Sequence, residues 1–296
     1  MSANLTKPGK TADEENFPVA SRLIQTKHRP IILQFYRFAR SADDVADDPT
    51  LTATQKIIRL DRMEKTLLGD ESDDVEPYAA HLGRSQRERG ISPRHAQDLL
   101  AAFRLDAVKR RYADWGDLMA YCALSAMPVG RFVLDVHGQS RATWQASDAI
   151  CAALQIINHL QDCGQDFQTL DRVYLPMDIM AAHGVGPEAL GAYSASPELR
   201  GCVRALATNV GDLLGQGQRL ADEIVDWRLR FEIAVIHALA VRLTRRLNVR
   251  DPLRDKTHLS RFEAMGTTCI AVLRQAALGF GMGRRRKTYQ AANQPK

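Results

Sequence analysis

FYRFARSADDVADD, residues 35–48, places Asp43 and Asp47 four residues apart at the end of an apolar run that begins with IILQ. In a helix, that interval sets two side chains on one face, one turn apart. Pro49 follows directly, and a proline ends a helix because it lacks a backbone donor and its ring clashes with the preceding turn. This stretch therefore predicts an apolar helix with a pair of carboxylates near its C-terminal end.

A second stretch, ICAALQIINHLQDCGQD at residues 150–166, repeats the arrangement. Its polar residues Gln155, Asn158, Asp162 and Asp166 recur at helical spacing and predict one polar stripe on an apolar helix. Acidic runs are most often solvated helix faces. On so apolar a helix, however, buried carboxylates without partners are too costly to keep ionised, so this stripe needs bound cations.

Two such helices, facing one another across a cavity, offer four carboxylates to hard divalent cations. Mg²⁺ prefers oxygen ligands, keeps much of its water, and is usually bound by one or two carboxylates together with substrate phosphate oxygens. The sequence therefore predicts a Mg²⁺-dependent diphosphate site.

Helical periodicity dominates the apolar pattern along the chain, so we expect an all-α protein with one domain. Ser92-Pro93 and Ser196-Pro197 are typical of a helix cap followed by the first helical residue. Pro128 interrupts the apolar segment AYCALSAMPVGRFVLDVHG. It predicts either a kinked helix that opens a cavity or a boundary between two shorter helices.

Composition excludes several classes of protein. The net charge of +5 is not arranged as an aromatic-interleaved basic surface, so we expect no nucleic-acid partner. Five scattered cysteines without CxxC spacing argue against disulfides and zinc. Without a secretory pattern or a run of 18 apolar residues, we expect a cytoplasmic protein. The basic cluster GRRRK at 283–287 is either a solvated tail or a contact with anionic lipid on the inner face of the membrane.

Five blocks in order resemble the squalene and phytoene synthase family of trans-isoprenyl diphosphate enzymes, most closely its hydroxysqualene-forming branch. They are ENFPVAS (15–21), FYRFARSADDVADD (35–48), YCALSAMPVGR (121–131), NHLQDCGQD (158–166) and RVYLP (172–176). The resemblance implies a single-domain helical bundle with a central apolar cavity over residues 16–282. Residues 1–15 are then a flexible N-terminus, and residues 283–296 a basic, disordered tail.

The resemblance also implies roles for individual residues. The metal ligands are Asp43, Asp47, Asn158, Asp162 and Asp166, which together hold about two or three Mg²⁺ ions. The substrate-binding residues are Asn16, Phe17, Tyr36, Arg40, Tyr121, Gln155, Arg172 and Tyr174. Gln161 and Gln165 depart from the Arg and Glu usual in phytoene and squalene synthases, and Gln161 fits the hydroxysqualene-forming branch.

The chemistry implied is Mg²⁺-assisted ionisation of presqualene diphosphate, followed by rearrangement of the carbocation and its capture by water. A shielded cavity lined by aromatic faces suits such a cation, and Phe35 and Phe38 are further candidates for that lining. Packing in the core is the more common role of such aromatic residues and is the alternative for both. GFGMG at 279–283 has no βαβ context, so we expect no nicotinamide cofactor. There are two alternatives. The chain is either an enzyme that condenses two prenyl diphosphates, or an inactive scaffold that binds lipid diphosphates or other pathway enzymes. For His159 and Arg131, packing or pairing with an acid is the alternative to catalysis.

Overall fold

The described part of the chain, in this computed structural model, is the backbone of residues 23–292 and the side chains of residues 23–277. Within it the chain is helical and forms no strand, as the apolar pattern predicted. The α-helices are α1 (Arg29–Asp47), α2 (Ala53–Leu68), α3 (Pro77–Arg89), α4 (Arg94–Asp106), α5 (Trp115–Ser125), α6 (Met127–Val136), α7 (Trp144–Leu170), α8 (Met177–Ala182), α9 (Pro197–Gly217), α10 (Leu220–Glu223), α11 (Trp227–Leu247) and α12 (Arg261–Ala292). Two short 3-10 helices cover Arg141–Thr143 and Pro187–Gly191.

Local signals explain where several helices begin and end. Thr52 and Gln55 form a reciprocal capping box at the start of α2, and Gly69 ends that helix in the left-handed conformation. Ser196 caps α9 by accepting a hydrogen bond from the backbone N–H of Leu199, as predicted. Helix α4 begins one residue later than predicted, after Pro93.

Two apolar clusters form most of the core. The first joins α1, α2, α3 and α4 with Phe132 of α6, and the second surrounds α7 with side chains from α5, α9 and α11. Because α1 belongs to the first cluster and α7 to the second, the two predicted acidic helices stand in different halves of the bundle. The residues that connect the two halves therefore determine the position of the acidic face of α1 relative to that of α7.

Pro128 marks a boundary between two helices. Helix α5 ends at Ser125, Ala126 leaves helical geometry with φ −120° and ψ −47°, and Pro128 lies in the first turn of α6. Of the two predicted alternatives, the structure shows two shorter helices. Trp115–Val136 is the one described stretch long and apolar enough to cross a membrane, but it spans this break. Leu118 and Phe132 within it are buried in the core.

All five cysteines are free thiols, which confirms the prediction that they form no disulfides. The backbone of α12 continues through GRRRK, but the side chains of that cluster lie outside the described part. The predicted tail and the predicted flexible N-terminus thus stay predictions.

Candidate functional site

The first acidic pair lies on one face of α1. Tyr36, Arg40, Asp43 and Asp47 follow one another at helical spacing, and none of them is fully buried. Arg40 donates to Asp43 Oδ2 at 2.6 Å and to Asp44 Oδ1 at 3.2 Å. This face therefore carries a guanidinium beside the carboxylates, which is a suitable environment for an anionic ligand.

Phe35 and Phe38 point the other way. Both are at most 3% exposed, within the cluster formed by α1 to α4, and Phe35 stacks on Phe132 with ring centroids 3.9 Å apart. They belong to the buried face of α1, whereas the side chains of Asp43 and Asp47 are partly exposed. Of the two predicted alternatives for Phe35 and Phe38, the structure shows packing in the core rather than lining of a cation cavity.

The second polar row lies on α7. Gln155, Asn158, Asp162 and Asp166 share one face of that helix and are all partly exposed. Gln155 Nε2 lies 3.0 Å from His159 Nε2, and His159 Nδ1 lies 3.9 Å from Asp166 Oδ2. His159 is therefore part of the row, where its ring links an amide to a carboxylate.

Asp106, at the end of α4, connects the two rows and was not predicted from the sequence. Its side chain is buried and accepts hydrogen bonds from Tyr121 Oη at 2.9 Å and from Tyr174 Oη at 3.3 Å. Arg172 donates to the Asp106 backbone carbonyl at 3.0 Å and to Asp47 Oδ1 at 2.6 Å. These contacts tie Asp47 on α1 to the segment that follows α7.

The turn after α7 brings Arg172 and Tyr174 into the site. Asp171 ends α7 in the left-handed conformation, with φ 51°, and turns the chain back. The Val173 N–H then donates to the Arg110 carbonyl at 2.9 Å, which fixes the segment beside the end of α4. Val173 also forms an isolated parallel bridge with Arg111. Its two neighbours in the chain, Arg172 and Tyr174, therefore face Asp106.

Aromatic rings form a continuous wall between Asp106 and the second row. Tyr174 stacks on His159 with ring centroids 3.4 Å apart and on Tyr112 at 5.4 Å. Tyr121 contacts both Tyr112 and Tyr174 at 5.3 and 5.6 Å. Tyr112 is a second residue that the sequence did not single out. Its hydroxyl is buried and has no hydrogen-bond partner among the described residues.

Crowding of acids changes their titration. Burial and the neighbouring Asp47 carboxylate raise the pKa of Asp43 to about 7, although the Arg40 guanidinium opposes this. About a third of the Asp43 side chain is exposed, so solvent screens part of this effect. Burial also raises the pKa of Asp106, against the lowering effect of Arg172. Burial and Asp106 raise the pKa of Tyr121, so its phenol keeps its proton and donates to Asp106.

The donor set fits Mg²⁺ bound together with a diphosphate. Within residues 23–277, no three His, Cys, Asp or Glu side chains are grouped closely enough to hold a metal ion by themselves. Asp43 and Asp47 are instead paired with Arg40 and Arg172. Carboxylates that each offer an oxygen or two, beside cationic groups that attract phosphate, suit a cation that takes its remaining ligands from water and substrate.

Other predicted residues lie outside this arrangement. Arg131 forms a two-point ion pair with Asp148, at 2.8 and 2.5 Å, so it pairs with an acid as one alternative predicted. Asn16 and Phe17 lie outside the described residues. A cavity of about 320 Å³ lies between α9, α11 and α12 and shares no residue with the acidic rows. The predicted central cavity between those rows remains a prediction.

Comparison with known proteins matches residues 11–263 to the squalene/phytoene synthase family. The hydroxysqualene synthase of Rhodopseudomonas palustris is 50% identical over 286 residues, covering 95% of this chain and 96% of its own. The hydroxysqualene synthase of Sinorhizobium fredii is 50% identical over 276 residues, covering 93% and 94%. The crystal structure of a squalene synthase from Alicyclobacillus acidocaldarius superposes with a TM-score of 0.68 at 26% identity, covering 77% of this chain and 85% of that one.

Proposed function

We propose that this chain, which belongs to the squalene/phytoene synthase family, converts presqualene diphosphate and water into hydroxysqualene and diphosphate. The observation that carries the proposal is the identity of 50% to hydroxysqualene synthases over nearly the whole chain. The contacts that run from Asp47 through Arg172, Asp106 and Tyr174 to His159 support it, because they connect the helix of the first motif to the helix of the second.

The acidic rows hold the metal in this proposal. Asp43 and Asp47 on α1, with Asn158, Asp162 and Asp166 on α7, are the oxygen ligands of about two or three Mg²⁺ ions. When bound, Mg²⁺ neutralises the negative charge that develops on the departing diphosphate. Because no three described acids form a site by themselves, we infer that the diphosphate supplies further ligands and that metal and substrate bind together.

Cationic side chains position the leaving group. Arg40 lies beside Asp43, and Arg172 beside Asp47, so a fixed positive charge accompanies each carboxylate of the first row. Guanidinium groups bind phosphate oxygens in two-point geometry. Tyr36 lies one turn before Arg40 on the same face, where it contacts the diphosphate in this proposal. Asn16 and Phe17 remain candidates from the motif alone.

The aromatic wall shields the carbocation. The carbon–oxygen bond breaks with its electron pair leaving on diphosphate, and the resulting cyclopropylcarbinyl cation rearranges. Tyr121 and Tyr174 present ring faces that tolerate positive charge, and their shared partner Asp106 fixes both rings. Gln155 lies at the edge of this wall through its contact with His159. Finally, the oxygen of one water bonds to the cation and releases a proton, which gives the alcohol.

The expected cellular location of the enzyme follows from its lipophilic substrate and product. We infer a cytoplasmic enzyme that contacts the inner face of the membrane, because a C30 hydrocarbon chain leaves the site toward a bilayer more readily than toward water. Neither a nicotinamide cofactor nor a nucleic acid enters this proposal, since water rather than hydride captures the cation.

Product analysis tests the proposal. The purified protein is incubated with presqualene diphosphate and Mg²⁺, without nicotinamide, and its products are identified by mass spectrometry. We expect hydroxysqualene together with an equal amount of inorganic diphosphate. Activity on farnesyl diphosphate alone, with presqualene diphosphate or phytoene-type condensation as its result, would replace this assignment by the condensation alternative.

A further inference from the structure

Helix α12 presents an exposed apolar face. Phe262, Met265, Ile270 and Leu273 are 82%, 60%, 67% and 70% exposed, respectively. Their spacing of three to five residues sets them on one side of the helix. Scattered apolar residues are ordinary on a protein surface, but four large ones on a single helix face form a patch that fits a binding surface.

The opposite side of α12 accounts for how the helix is held. Ala271 packs in a small apolar cluster with Val235 and Leu239 of α11, and Gln275 donates to Asp222 Oδ1 at 3.3 Å. Glu263 pairs with Arg246 of α11. Because these contacts fix the helix from one side, the apolar face cannot turn inward without breaking them.

The charge of the chain is concentrated in the same segment. From residue 261 to residue 296 the sequence holds seven basic residues and one acid, Glu263, which gives a net charge of +6. The whole chain carries +5, so the other 260 residues together carry a net charge of −1. Four of these basic residues form the run 284–287, and the backbone of α12 continues through it.

We propose that α12 is an interfacial helix that docks on the surface of an anionic lipid bilayer. Its apolar face enters the boundary between headgroups and acyl chains, and its basic run binds anionic headgroups, as in amphipathic membrane-surface helices. A second copy of this chain is a poorer occupant of the same face. It would bring two segments of net charge +6 together, whereas a bilayer of opposite charge attracts this segment.

Vesicle sedimentation tests this proposal with the full chain and without substrate, so that its outcome is independent of the reaction assigned above. Vesicles of phosphatidylcholine alone are compared with vesicles of equal parts phosphatidylcholine and phosphatidylglycerol. We expect binding to the mixed vesicles and much weaker binding to the neutral ones. The double variant Phe262→Ser/Leu273→Ser should lower the partition coefficient by about tenfold or more.

A matched double variant, Ile58→Ser/Val108→Ser, removes two apolar side chains that are 54% and 58% exposed elsewhere on the surface. It should bind vesicles as the unaltered protein does. Separately, Arg284→Gln/Arg286→Gln should weaken binding to the mixed vesicles alone and reduce its salt dependence. Circular dichroism checks that each variant keeps its helical content.

Three results would overturn the proposal. The unaltered protein could stay in the supernatant with mixed vesicles at low salt, or Phe262→Ser/Leu273→Ser could bind as tightly as the unaltered protein. Light scattering could also show a dimer without lipid that this double variant converts to a monomer, which would assign the face to a second copy of the chain.

Discussion

At the scale of single residues, Asp106 is the side chain that the sequence conceals. It is a lone acid in AAFRLDAVKR, where nothing distinguishes it from a solvated helix residue. The fold places it between two tyrosine hydroxyls and makes its backbone carbonyl an acceptor for Arg172. A residue whose importance comes from contacts distant in sequence cannot be recognised from its own neighbours.

Replacing Asp106 with Asn tests its positioning role. The amide keeps the volume but offers one acceptor oxygen to two phenols, so one ring loses its anchor. We expect kcat to fall by about tenfold or more while KM changes little, because diphosphate binding depends on other residues. Asp61→Asn, at a half-exposed carboxylate paired with Arg104, serves as the control and should keep full activity. An equal effect of both substitutions would contradict the role of Asp106.

Gln161 poses a different question within the second motif. Its side chain is 6% exposed, and neither of its amide atoms has a hydrogen-bond partner among the described residues. An unsatisfied buried amide costs free energy and persists where it binds a water or a ligand. We therefore expect Gln161→Leu to raise the melting temperature without substrate and to lower kcat. A lower melting temperature with unchanged kcat would show that the amide is structural.

What could be predicted at this scale depended on spacing. Asp43, Asp47, Asp162 and Asp166 were predicted from an interval of four, and the structure places each pair on one helix face. The same interval could not separate lining aromatics from core aromatics, as Phe35 and Phe38 show. Which side of a helix faces a partner is decided by tertiary packing, which a single helix's sequence does not record.

At the scale of elements, the helical class and the proline boundaries followed from the sequence, whereas the choice at Pro128 did not. Either a kink or a break accommodates the missing backbone donor. In the structure, the buried side chains of α5 join the cluster around α7, whereas Phe132 and Val136 of α6 join the cluster of α1 to α4. The isolated bridge between Arg111 and Val173 was equally hidden, because it joins residues far apart in the chain. That bridge is what carries Arg172 into the site.

The close approach of α2 and α3 yields a prediction at this scale. A Cβ atom built on Gly83 would lie 2.1 Å from the Leu67 carbonyl oxygen, a contact that only movement of the backbone could relieve. We expect Gly83→Ala to lower the free energy of unfolding by about 2 kcal/mol or more. Gly211→Ala on α9 meets open space and should instead be neutral or stabilising, by up to about 1 kcal/mol. Chemical denaturation measures both, and equal effects would contradict the packing described.

At the scale of the whole molecule, the first acidic row carries electrostatic repulsion, which bound Mg²⁺ would relieve in the proposed mechanism. The pKa of Asp43 is raised to about 7 from its ordinary value of 3.8 by burial and by the charges of Asp47, Asp106 and Asp44, and the Arg40 guanidinium opposes this rise. Because the pKa of Asp43 is higher in the folded than in the unfolded protein, ionisation of this carboxyl lowers the free energy of unfolding. That loss of stability grows as pH rises from about 4 to about 7 and stays constant above pH 7.

Removing the charge should therefore stabilise the metal-free protein. At pH 8 without Mg²⁺, we expect Asp43→Asn to raise the free energy of unfolding by about 1 kcal/mol, a value reduced for solvent screening. At pH 4 most of this difference should be lost, because Asp43 is then protonated in the folded protein and about half protonated in the unfolded chain. Thermal unfolding at the two pH values measures this, and a destabilised variant at pH 8 would contradict the assigned repulsion.

The connection between the two rows is the feature of the whole molecule that the sequence could only suggest. Two acidic pairs more than 100 residues apart predicted a shared site, and the resemblance to the squalene and phytoene synthase family indicated which substrate that site would bind. The contacts through Arg172, Asp106 and Tyr174 could not be predicted, since they join α1, α4 and the segment after α7. The central claim is that both rows bind the metal ions of one diphosphate.

Mg²⁺-dependent turnover of presqualene diphosphate by three variants tests that claim most directly. Asp43→Asn and Asp162→Asn should each lower kcat/KM by at least about a hundredfold, since each removes a ligand from one row of a shared cluster. Asp48→Asn, beside the first row but bonded to Thr50, should retain activity within about twofold. Helical content should be unchanged in all three. Full turnover in either Asp43→Asn or Asp162→Asn would contradict a metal site shared by the two rows.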